Sequence, residues 1–258
     1  MKKNVLLIIL GVATVFCIIF GTIRHTGRGF RALRDSGFIS IGDDWDWDYD
    51  CDDEDDEEEE DVAEAKSVSK KTINQTLESF SSIKMDITVM DLTIEEGPDF
   101  KLECYFNKEY LRPSFSVKHN TLEVTQTKHR VYGINIGNNS CRMVITIPSG
   151  TDLNSIIINS NVGDIKLRDL VSEEIDLTVN VGELYVNKVA FDDISCKTNV
   201  GEVNIRQTGN LNDYNINVTA DVGEVSVDGR SYKHHYNSKV NSSKKIRVST
   251  NVGEISIR

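Results

Sequence analysis

Asn199-Val-Gly-Glu-Val203 is one of five copies of a short motif in the second half of this chain. The other copies are Asn161-Val-Gly-Asp-Ile165, Asn180-Val-Gly-Glu-Leu184, Asp221-Val-Gly-Glu-Val225 and Asn251-Val-Gly-Glu-Ile255. Their glycines are separated by 19, 19, 22 and 30 residues: Gly163, Gly182, Gly201, Gly223 and Gly253. A short unit that recurs at a nearly fixed period predicts a repeat protein, in which each unit packs on its neighbours.

The residues around each glycine alternate between apolar and polar. Aligned on the glycine, the copies carry apolar residues at positions −7, −5, −1, +2 and +4. Position −7 is always isoleucine and position −1 is always valine. Alternation at every second residue predicts β-strands. The alternation breaks at the glycine, because positions −1 and +2 would both have to face inward. We therefore predict a corner there, since glycine can adopt a positive φ.

Each repeat is thus a strand, a corner and a second strand. A rung of 19 residues cannot bury its apolar side alone, so the sequence predicts an all-β, β-helix-like solenoid of stacked rungs over residues 151–258. The three extra residues before Gly223 and the 11 extra residues before Gly253, around 229–244, are predicted to be loops that bulge from the stack.

An irregular part precedes the regular rungs. A degenerate rung around Met90 keeps the same register, with Ile83, Met85, Val89, Leu92 and Ile94 at the apolar positions. Further strands are predicted at 101–106, 114–117, 121–125 and 142–148, where they would cap the open end of the stack. The predicted domain therefore covers 80–258, with an irregular part at 80–150.

The first 23 residues predict a membrane anchor. Val5 to Ile23 is a run of 19 residues without a charge, which would span roughly 28 Å as a helix. Lys2 and Lys3 before this run favour a single-pass anchor at the cell membrane with the C-terminal domain outside the cell. Four arginines after it, at 24, 28, 31 and 34, favour the opposite orientation, but a Lys-Lys start before the first apolar run is the usual export signal, so we expect the C-terminal domain to lie outside the cell.

Residues 24–79 predict a linker with a basic start and an acidic centre. Asp43 to Asp61 holds 15 of the 41 acidic residues of the chain and no basic residue. Like-charge repulsion keeps such a tract extended, and its tryptophans and tyrosine offer faces for a cationic partner. The rest of the chain is nearly balanced in charge, so no nucleic-acid partner is expected.

The acid after each repeat glycine is the one candidate binding site. In a stack, these five side chains would lie in a row at a spacing of about 4.8 Å and repel one another. A cation, a cationic ligand or nearby Lys166, Arg168, Arg206 and Arg258 could compensate them, or they could be solvated charges that prevent association of sheets. The row consists of Asp164, Glu183, Glu202, Glu224 and Glu254.

No catalytic, cofactor-binding or metal-binding residues are predicted. The five cysteines, at 17, 51, 104, 141 and 196, lack the spacing of a zinc site or a disulfide framework. We therefore expect them to behave as small apolar residues.

The segments Ile87-Thr-Val-Met-Asp-Leu-Thr-Ile94 and Ile145-Thr-Ile-Pro148, together with the iterated motif, resemble bacterial β-strand-repeat domains of the adhesin-like family. Members often follow a membrane anchor, and some are found among cell-envelope stress proteins. The resemblance implies a right-handed β-helix-like fold at the cell envelope and supplies no catalytic residues.

These observations predict a membrane-anchored scaffold or binding module of the cell envelope rather than an enzyme. Its partner would be an envelope protein or a cationic ligand, in adhesion or in an envelope stress response. Two alternatives stay open: a small carbohydrate-active β-helix enzyme and a cytoplasm-facing regulator of a membrane partner. Carboxylates and bases that converge in a groove would favour the enzyme, because β-helices also carry catalytic sites.

Overall fold

The structure is a computed structural model that describes residues 71–127 and 140–258. The predicted anchor at 1–23 and the acidic tract Asp43–Asp61 lie outside the described residues. Within those two ranges, no helix is long and apolar enough to cross a membrane.

The described residues form 18 strands and two short 3-10 turns, at Glu109–Leu111 and Leu211–Asp213. The strands are β1 (Lys71–Thr76), β2 (Ser82–Val89), β3 (Asp91–Gly97), β4 (Lys101–Phe106), β5 (Ser114–Lys118), β6 (Thr121–Thr125), β7 (Cys141–Pro148), β8 (Asp152–Val162), β9 (Ile165–Arg168), β10 (Val171–Val181), β11 (Leu184–Val200), β12 (Val203–Gln207), β13 (Asn215–Val222), β14 (Val225–Val227), β15 (Arg230–Tyr232), β16 (His235–Ser238), β17 (Lys245–Val252) and β18 (Ile255–Ile257).

The strands form one curled sheet with two sides that enclose the core. Strands that precede a corner pair with one another on the first side, and strands that follow a corner pair on the second side. The 17-residue strand β11 passes from the second side to the first and so joins them. The prediction of an all-β solenoid built from strand–corner–strand rungs is confirmed.

The register of the rungs places equivalent positions beside each other. The isoleucine at position −7 stacks through six rungs, including the degenerate one around Met90, in the order Ile83, Ile156, Ile175, Ile194, Ile246 and Ile216. All six are at most 3% exposed. Positions −5, +2 and +4 are buried in the same way, so burial of these columns between the two sides forms the core.

The stack does not follow chain order. The rung formed by β17 and β18 lies between the β11–β12 rung and the β13–β14 rung. After β12, the chain therefore leaves one rung position empty and forms the outer rung from β13 and β14. It then returns, and β17 and β18 occupy the empty position.

The prediction that the valine at position −1 faces inward is wrong. Val162 is 39% exposed and Val222 is 61% exposed, and the other three are half-buried. The inward alternation ends at position −3, which carries buried Ser160, Val179, Thr198, Ala220 and Thr250. Because the chain turns between that position and the glycine, the valine lies on the outer side of the corner.

The segment 229–244 is not the loop that we predicted. It contains β15 and β16, which pair antiparallel with β14 and β13. These two strands cover edges that would otherwise present unpaired backbone groups at the end of the stack.

The opposite end is capped by the irregular strands, as predicted. β4 and β6 have the predicted bounds, and β4, β5, β6 and β7 pair around the first rung. β1 pairs with β4 and lies at 71–76, within the segment that we assigned to the linker. The folded part therefore begins before residue 80.

Candidate binding site at the glycine corner

The five repeat glycines stand above one another at the corner. Their φ angles lie between +129° and +151°, a range that side-chain-bearing residues rarely adopt. A Cβ atom at any of them would also lie 1.8–2.1 Å from a backbone carbonyl oxygen of the neighbouring rung. Glycine is therefore required twice, by the conformation of the corner and by the close approach of the next rung.

An asparagine column follows the same edge at position −2. The side-chain Nδ2 of Asn180, Asn199 and Asn251 each donates a hydrogen bond to Oδ1 of the asparagine in the adjacent rung, and the column starts at Asn161. Such amide ladders satisfy side-chain donors and acceptors between identical neighbours. The first residue of the motif thus holds the rungs in register.

The structure brings the five predicted acids together in one row, which Asp91 of the degenerate rung extends. Backbone hydrogen bonds between rungs fix the order as Asp91, Asp164, Glu183, Glu202, Glu254 and Glu224. Glu202 therefore lies between Glu183 and Glu254, although Glu224 follows it in the sequence.

The first half of the row is held by hydrogen bonds to its carboxylates. Oδ1 of Asp91 accepts from the backbone N–H of Asp164 (3.2 Å), and Oδ1 of Asp164 accepts from the backbone N–H of Glu183 (2.9 Å). Glu183 accepts a hydrogen bond from the Tyr185 hydroxyl. The other three acids, Glu202, Glu254 and Glu224, are exposed.

The electrostatics of the corner reflect this crowding of like charges. Asp91 is exposed by surface area, yet crowding by the next rung desolvates its carboxylate and raises its pKa, and the charge of Asp164 acts in the same direction. Desolvation and the neighbouring Glu183 carboxylate raise the pKa of Tyr185. Nζ of Lys166 lies 5.8 Å from the centre of the Tyr185 ring and brings a positive charge to this half of the row.

The three arginines that were predicted to compensate the row form no ion pair with its acids among the described residues. Arg168 pairs instead with Glu95 at 3.6 Å. Arg206 and Arg258 are exposed and form no ion pair with any described residue. Among residues 71–127 and 140–258, no three His, Cys, Asp or Glu side chains form a group that could hold a metal ion.

Gln126 is a residue of this edge that sequence reasoning missed. Its side-chain oxygen accepts hydrogen bonds from the backbone N–H groups of Thr88 (2.9 Å) and Val89 (2.7 Å), and its amide nitrogen donates to the carbonyl of Leu111. These bonds close the corner of the first rung, where no repeat unit supplies a partner. Gln126 belongs to no motif copy, so the repeat pattern carried no signal for it.

Comparison with solved structures finds several that resemble this chain, one of them with a TM-score above 0.5. The solved structure of a proposed cell adhesion protein from Clostridium sporogenes has a TM-score of 0.56 at 18% identity, over 73% of this chain and 99% of that one. A proposed adhesin from Bacteroides fragilis gives 0.35 at 15% identity, over 74% and 98% of the two chains. A proposed lipid-binding protein from Parabacteroides distasonis gives 0.25 at 11% identity, over the same two shares, 74% and 98%.

No curated protein sequence matches this chain. A profile of the Toastrack DUF4097 domain family, however, matches residues 80–222, which is more than half of the 258 residues and includes three complete copies of the motif. The chain therefore belongs to the Toastrack DUF4097 family.

Proposed function

We propose that this protein is an adhesin-like binding module, without enzymatic activity, that the segment 1–23 anchors in the cell membrane with the solenoid outside the cell. The proposal rests on how the repeat uses its residues. The glycine, the asparagine and the apolar columns all serve the contact between rungs, so the repeated motif builds a scaffold. Binding then falls to the exposed positions that differ from rung to rung.

Position −4 is a largely exposed position that differs from rung to rung. It lies on the outer surface of the first side and carries a different residue in nearly every rung, in stack order Asp86, Asn159, Thr178, Lys197, Ser249 and Thr219. Neighbouring strands hold such side chains about 4.8 Å apart on a rigid backbone. A fixed array of varied polar groups suits recognition of an extended partner, and this observation carries the proposal.

The partner we propose is an envelope component, either a protein or a cationic ligand. The exposed end of the acidic row, at Glu202, Glu254 and Glu224, offers the negative charge for the second kind. The fold shared with a proposed cell adhesion protein supports the adhesive role. We further propose that this binding takes part in the envelope stress response.

Protease treatment of intact cells tests the placement, and an adhesion assay tests the role. External protease should remove the domain, and cells that display the full chain should bind envelope material from the same species better than cells that display Gly201→Ala. The matched control is Gly229→Ala, where no atom lies within 4 Å of an added Cβ and only the backbone conformation opposes the change, so this variant should keep binding. A domain that is digested only after permeabilisation supports the cytoplasm-facing regulator. Equal binding by both variants contradicts the adhesive role.

A further inference from the structure

Two buried cysteines lie next to each other at the capped end of the stack. The Sγ atoms of Cys104 in β4 and Cys141 in β7 are 4.0 Å apart, and both residues are at most 4% exposed. They are 37 positions apart in the sequence, so their spacing gave no signal of a pair. The third described cysteine, Cys196, is buried in the regular rungs away from them.

The strand register shows how the two side chains meet. β4 and β7 are antiparallel, with Cys104 opposite Met143 and Phe106 opposite Cys141. The cysteines are thus diagonal neighbours on the inward face. A disulfide has an S–S length of about 2.05 Å, so the sulfurs must approach by about 2 Å. Cys141 is the first residue of β7, and the end of a strand adjusts more readily than its centre.

The surroundings of the pair make the two thiols unequal. The Sγ of Cys141 lies 3.7 Å from the carbonyl oxygen of Leu111, and the contact between the two thiols lowers the pKa of Cys104 while it raises that of Cys141. The thiolate is the reactive form in disulfide exchange.

We propose that Cys104 and Cys141 form a disulfide that ties β4 to β7, with a small-molecule or protein disulfide as the oxidant. The thiolate of one cysteine attacks one sulfur of that disulfide and releases the other as a thiolate. The second cysteine then loses its proton to the released thiolate and attacks the mixed disulfide, which frees a second thiolate that takes up the proton lost by the first cysteine. The two cysteine sulfurs lose two electrons, and the oxidant gains two electrons and two protons.

Burial of both thiols places this reaction during folding, before the cap closes over them. The cross-link then joins β7, which pairs with β3 of the first rung, to β4 on its other edge, and closes a loop between positions 104 and 141. Closure of a loop of this length restricts the unfolded chain, so the oxidised protein should be the more stable form. Formation inside cells rests on the proposed placement of the domain outside the cell, whereas the chemistry of the pair does not.

The test uses the purified full-length protein in detergent, so its outcome does not depend on the orientation in the membrane. The protein is unfolded in denaturant with reductant, refolded in a buffer of oxidised and reduced glutathione, alkylated and digested. Mass spectrometry should find the peptide of Cys104 joined to that of Cys141, and not to the peptides at 17, 51 or 196. Dithiothreitol should lower the melting temperature of the refolded protein by about 5–10 °C.

Variants give the matched controls. Cys196→Ala should keep the cross-link and the response to dithiothreitol, and Cys141→Ala should lose both. The proposal is overturned if refolded wild-type protein carries alkyl groups on both Cys104 and Cys141, or if the two cysteines pair at random with the remaining three. The wild-type measurement decides the question even where a variant fails to fold.

Discussion

Substitution of a corner glycine should destabilise the domain far more than substitution of a glycine elsewhere. In Gly201→Ala, the new Cβ would lie 1.8 Å from the carbonyl oxygen of Gly182. The φ of +149° costs about 1–3 kcal/mol for an L-residue. Relief of the clash must also separate two rungs, which weakens backbone hydrogen bonds worth about 1 kcal/mol each. We expect a loss of about 3–5 kcal/mol, a large part of the stability of an ordinary domain.

The matched control is Gly229→Ala. Gly229 also has a positive φ, +72°, but no atom lies within 4 Å of the place that a Cβ would occupy. Only the backbone conformation opposes this substitution, at about 1–2 kcal/mol. Unfolding in urea, followed by circular dichroism, compares the midpoints of both variants with that of the wild type at an unchanged m value. If Gly201→Ala loses no more stability than Gly229→Ala, the close approach of the rungs does not explain the glycine.

Four further substitutions test the core, the acidic row and the desolvated carboxylate of Asp91 at the start of that row. Ile194→Asp should prevent folding, because Ile194 is 0% exposed, whereas Lys197→Asp on the outer face should leave the melting temperature nearly unchanged. Glu202→Gln should keep or raise the melting temperature at low salt, since it removes repulsion with both adjacent acids, and the gain should shrink at high salt; an identical response in both salts would contradict repulsion within the row. Asp91→Asn should stabilise the domain at neutral pH, because a raised folded-state pKa makes the charged form unfavourable in the fold. That gain should vanish in unfolding curves below the ordinary Asp value of 3.8.

Periodicity was sufficient to predict the rungs and their inward columns. The isoleucine column at position −7 and the bounds of β4 and β6 followed from alternation alone. The order of the rungs could not be predicted in this way. Every rung offers the same apolar residues to its neighbours, so the pattern identifies the members of the stack but not which two are adjacent.

The corner shows a second limit of sequence reasoning. The positive φ at the glycine could be inferred from the break in alternation, but its contact with the next carbonyl depends on the distance between rungs. The same break led us to place the valine before the glycine inside, although Val222 is 61% exposed. Two apolar neighbours at a corner need not both be buried, because the turn itself can direct one of them outward.

The insertion of β17 and β18 between earlier rungs sets an order on folding during synthesis. Strands β2 to β12 can associate before residues 245–257 are made, since each of them has a partner within that set. β13 and β14 cannot, because their parallel neighbours are residues 245–257, which are synthesised after them. The outer rung and its β15–β16 cover must wait for that segment, so a nascent chain without it leaves the edges of β11 and β12 without their pairing strands.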